Sequence, residues 1–128
     1  MQTRDNLLKE FRGDYLGNIS AQTSPDEYFQ NQTLRPILKL QNDVLIAVFK
    51  KQVYKYNKDF SNFTIDKKQK LIENILQKDE KVRKMLIGMI IGLFTDNEIE
   101  VYLQNTSNLN KRIISMLTER IQSQLQMV

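Results

Sequence analysis

The sequence has no cysteine, no histidine and no tryptophan, and only two prolines and four glycines. Without Cys there is no disulfide framework, no thiolate zinc site, no Cys-ligated iron–sulfur cluster and no cysteine nucleophile. Without His there is no Ser-His-Asp relay, no imidazole metal ligand and no unperturbed side chain titrating near neutrality. Long hydrophobic runs are also scarce. The longest, Met85 to Phe94, spans ten residues, about half of what a membrane-crossing helix needs. The opening Met1 to Asn6 is polar and lacks an apolar core, so no secretory signal is read there and a cytoplasmic location is expected.

What is present is a chain of 128 residues, 41% hydrophobic and 27% charged. A single domain of this length buries about two-thirds of the surface of its unfolded chain, so one domain over residues 1–128 is expected. Net charge is +4, and the surplus is uneven. Residues 50–84 carry 11 basic and 5 acidic side chains, while residues 1–49 carry 5 and 6, and residues 85–128 carry 3 and 4. A stretch so biased concentrates positive potential wherever it is exposed.

Periodicity is helical throughout, and no segment alternates with period two. Leu7, Leu8, Phe11 and Tyr15 suggest a helix over residues 3–12, after which Gly13 and Gly17 loosen the chain and residues 18–23 read as a loop. Ser24-Pro25-Asp26-Glu27 is a helix start, with Ser as cap, Pro at N1 and Glu27 placed for a capping box. That short helix should end near Gln32. Thr33 is read as the cap of a long helix running to about Asn57, with Pro36 in its first turn. Its apolar residues, Ile37, Leu38, Leu40 and Val44 to Phe49, touch almost every face and predict a buried central helix.

Further starts are read at Thr64, Asp79 and Thr95, the last with Glu98 as a capping box. The helix after Thr64 should bury Ile65, Leu71, Ile72, Ile75 and Leu76, and the body of the next runs from Val82 to Phe94. A final helix over residues 109–126 carries the stripe Leu109, Ile113, Met116, Leu117, Ile121 and Leu125. The expectation is all-α, a single compact bundle of six or seven helices.

Four constellations are candidates for function. Gly88 and Gly92 form one smooth strip on a helix, suited to close helix packing inside the protomer or between copies. Lys51, Tyr54, Lys55 and Lys58 share a helical face where lysines could meet phosphates while a ring stacks on a base. Gln30, Asn31, Arg35, Gln41 and Asn42 surround a helix junction and could line a groove for a small anion or a peptide backbone, or satisfy the backbone ends there. Asp96, Glu98 and Glu100 are acidic neighbours, but first-turn acids suit the helix dipole and the Ca²⁺-loop spacing is missing. No metal and no cofactor are expected.

The segment 28–43, together with residues 107–120, resembles a group of short, uncharacterised, all-helical bacterial proteins, some of which bear the label glyoxalase. The resemblance implies a helical fold and carries no catalytic residue across. Glyoxalase I enzymes use βαβββ modules and a metal held by His and Glu, neither of which this sequence offers, so that activity is not expected. The leading expectation is a non-enzymatic helical protein acting through protein association, as a homo-oligomer or an adaptor. The alternative is binding of nucleic acid or another acidic surface through residues 50–84. An enzyme built on carboxylates, Lys, Tyr or Arg with a borrowed metal ranks third.

Overall fold

The helix-start signals fall where helices start. In a computed structural model, which describes residues 3–13 and 24–128, Thr3 accepts from the Asn6 N–H and opens α1 (Arg4–Arg12). Gly13 ends it with φ 78°, a left-handed conformation that favours glycine. Tyr15, Gly17 and the loop expected at 18–23 lie outside the described residues. Ser24 accepts from Glu27 and opens α2 (Pro25–Phe29). Thr64 caps α4 (Ile65–Lys78), and Asp79 caps α5 (Glu80–Ile91) through the Val82 N–H. Both halves of the Thr95–Glu98 capping box are formed at the start of α6 (Asp96–Gln104). The last helix, α7 (Thr106–Gln122), begins one residue after Asn105 rather than at Leu109. Short 3₁₀ turns occupy Phe60–Asn62 and Leu125–Met127. The fold is all-α, with no strand among the described residues.

Thr33 does not cap a new helix. The chain runs on from α2 through a π-helical turn, Gln30–Leu34, into α3 (Arg35–Tyr56) without leaving helical backbone angles. Pro36 is the physical reason. It has no N–H for the carbonyl four residues earlier, and its ring crowds that carbonyl, which belongs to Gln32. A wider turn just ahead relieves the crowding, and the released Gln32 carbonyl accepts from Arg12 Nη2 at 3.4 Å.

The core gathers around one side of α3. Phe49 and Val53 join Phe60, Ile72, Leu76, Leu86, Ile90, Phe94, Ile113 and Leu117, all fully buried. α5 runs antiparallel to α3. Gln41 donates to the Met89 carbonyl at one end (3.1 Å), and the Tyr56 hydroxyl donates to Asp79 at the other. α4 packs on α5 and α7, and α1 lies against α3.

The apolar belt of α3 is buried on one side only. Leu40 and Val44 are 47% and 51% exposed, and Ala47 is exposed with them. Ile65, expected in the core, is exposed at the first turn of α4. No helix is long and apolar enough to cross a membrane, among the described residues.

Candidate functional site

Two surfaces stand out. The first is an open cleft of about 610 Å³ between the π turn, the start of α3 and the end of α7. Gln30, Arg35, Glu119, Arg120, Ser123 and Gln124 supply its polar lining, and Leu38 and Met116 its apolar patch. The local fold fixes this set. Arg112 Nη1 donates to Gln30 Oε1 (2.9 Å) and holds the amide at the π turn. Asn42 and Gln124 exchange two amide hydrogen bonds across α3 and α7 (2.9 and 2.8 Å). Arg120 Nη1 donates to Asn42 Oδ1 at 3.1 Å.

Arg120 is part-buried and has no acidic partner among the described residues. Burial lowers its pKa from the ordinary guanidinium value, yet a guanidinium stays charged at any physiological pH. Arg35 is exposed at the cleft, and its guanidinium has no hydrogen bond or ion pair among the described residues.

Of the groove read in the sequence, Gln30 and Arg35 line this cleft and Asn42 adjoins it through Arg120 and Gln124. Asn31 and Gln41 do not join them. Asn31 is buried, and Gln41 is committed to the Met89 carbonyl on α5. Sequence reading missed Arg120 and Glu119 on α7 and Gln124 just beyond it, which the packing of α7 brings opposite; spacing within one segment carries no such signal.

The second surface is the outer side of α3 and α5. Gly88 is exposed, and a Cβ there would meet nothing within 4 Å among the described residues. A Cβ at Gly92 would meet, among the described residues, only the Gly88 carbonyl, at 3.2 Å. Among the described residues the strip therefore serves no close helix contact inside the protomer, which corrects that part of the expectation. Counting from the Gln41–Met89 bond along antiparallel helices, Val44 lies within about one turn of Met85 and Gly88. Met85 is itself 39% exposed. On α1, Leu7 and Phe11 are exposed too, and Arg4 donates to the Gly92 and Phe94 carbonyls (2.9 and 2.8 Å) beside the strip. Gly88→Ala is expected to raise stability by about 0.5–1 kcal/mol, since the helix gains propensity and the methyl group meets open space. Urea unfolding at low protein concentration measures it, and a destabilised variant would show that the glycine is needed within the monomer.

The lysine face is only half available. Lys51, Lys55 and Lys58 are exposed, but the Tyr54 ring packs edge-on against Phe60 with centroids 5.7 Å apart and is not free to stack on a base. Lys67 sits over the Phe63 ring at 4.0 Å, and Lys70 and Lys84 pair with Asp66 and Glu80 one turn away.

Glu98 is more than a cap. Its oxygens accept from Arg12 at 2.6 and 2.7 Å, from the Thr33 hydroxyl at 2.7 Å and from the Thr95 N–H at 2.8 Å. Burial pushes the Glu98 pKa up, but the Arg12, Thr95 and Thr33 hydrogen bonds outweigh it and hold the carboxyl below its usual range. Among the described residues no three acidic side chains are grouped so as to hold a metal ion. The chain matches no protein-family model, no curated protein and no solved structure, so its reading rests on these surfaces alone.

Proposed function

We propose that the protein acts by association, through the face where α3 and α5 leave Leu40, Val44, Met85 and Gly88 uncovered. The observation that carries this reading is the exposure of Gly88 in mid-helix. A glycine there costs about 1 kcal/mol relative to alanine, and nothing among the described residues crowds the position. A second helix crossing at the strip could approach closely and bury the flanking apolar side chains. A second copy of the chain is the simplest partner, because the same patch can face itself across a two-fold axis; an adaptor role toward another protein uses the same face.

Sedimentation at about 100 µM tests this, since dimer population follows protein concentration. The wild type should sediment as a dimer, and Val44→Glu or Met85→Glu as a monomer with unchanged helicity. A wild-type monomer would remove self-association, and retention of a partner from the native cell by wild type but not Val44→Glu would then identify the adaptor version. Phosphate contact by Lys51, Lys55 and Lys58 is the second reading, favoured by their exposure and weakened by the commitment of Tyr54 to the core.

A further inference from the structure

We infer that the cleft between the start of α3 and the end of α7 is a binding site for a small organic anion, a carboxylate or phosphate joined to an apolar group. Two guanidiniums, Arg35 and Arg120, line it from different helices without an acidic partner among the described residues. A part-buried charge with no counter-charge costs free energy that an arriving anion recovers. The planar guanidinium fork also matches both oxygens of a carboxylate or phosphate.

The neighbouring groups are held in place rather than merely nearby. Arg120 is steadied by Asn42, Asn42 by its amide pair with Gln124, and Gln30 by Arg112. The anion would meet donors that have little order left to lose. Leu38 and Met116 give the cleft an apolar side, so a purely inorganic ion would leave part of it unused. At about 610 Å³ the space suits a metabolite-sized molecule. Glu119 also lines the cleft, which leaves two cations against one acid and disfavours ligands of high negative charge. The site lies on α7 and the N-terminal end of α3, and is independent of the association face.

Calorimetric titration with hexyl phosphate, hexanoate and hexanol tests this. One or both anions should bind with a dissociation constant of about 1 mM or tighter, and hexanol should not. Binding of one anion alone assigns the headgroup, and binding of both assigns the chemistry they share. Arg35→Gln, an exposed position, should weaken binding about tenfold while leaving the melting temperature unchanged. Arg120→Lys keeps the charge but removes the fork and should weaken it as well. Lys50→Gln, which removes a charge elsewhere on α3, should not. No binding of either anion at about 10 mM, equal affinity in Arg35→Gln and wild type, or hexanol binding as well as the anions would each overturn the assignment.

Discussion

Replacing Glu98 with alanine is expected to cost about 3–5 kcal/mol, a large share of the stability of a domain this size. The Arg12 side chain is only 5% exposed and is gripped by both Glu98 oxygens. Among the described residues its other acceptors are the Leu93 and Gln32 carbonyls, both at 3.4 Å. Without the carboxylate, a buried guanidinium loses its counter-charge, the Thr33 hydroxyl loses its acceptor and the Thr95 N–H loses its cap. Arg12→Met should be comparably damaging, because it leaves the carboxylate uncompensated. The double variant should cost clearly less than the sum of the two, as expected when both changes remove one interaction. Urea unfolding of the four proteins measures the coupling; strict additivity would mean that the pair contributes little.

The same cluster sets an acid limit. The folded-state pKa of Glu98 is depressed, so its contribution is complete above the ordinary glutamate range and is lost as pH falls through the folded value. The stability gap between wild type and Glu98→Gln should therefore be widest near neutrality and narrow on acidification below that range. A gap independent of pH would show that the carboxylate is not held in its charged form.

Phe94→Ala is the second large effect, about 3–5 kcal/mol by the usual cost of emptying a buried aromatic site. Phe94 is fully buried and meets Phe29 and Tyr102 edge-on, with centroids 5.4 and 5.7 Å apart. It thereby ties α2, α6 and the end of α5 together, and its carbonyl anchors Arg4 of α1. The loss should appear in urea unfolding as a shift of midpoint. A loss below about 1 kcal/mol would show that the neighbours collapse into the space.

Local chemistry was legible in the sequence, and long-range chemistry was not. Ser24, Thr64, Asp79 and Thr95 cap the helices they were read as starting, because each bond closes within three residues. Thr33 misled because a hydroxyl before a proline is the same local signal whether it caps or reaches elsewhere; its O–H donates to a carboxylate 65 residues away. Glu98 already had a full local explanation as a cap, and nothing in its neighbourhood announced Arg12. Leu40 and Val44 show the limit of composition, since an apolar belt is equally consistent with burial on every side and with a face left open. In the cleft, Gln30 and Arg35 were readable as one polar cluster, whereas Arg120 joins them only through the packing of α7.

The π turn at Gln30–Leu34 has an implication for how the gene can vary. Such a turn is equivalent to one residue slipped into an ordinary helix, and each residue of helix winds the chain by about 100°. Excising a single codon there would swing Pro25–Phe29 by about that angle relative to α3, carrying Phe29 off the ring of Phe94. Length at this point is therefore less free to drift than residue identity, and a frame-preserving deletion should be selected against more strongly than most substitutions in the same five positions.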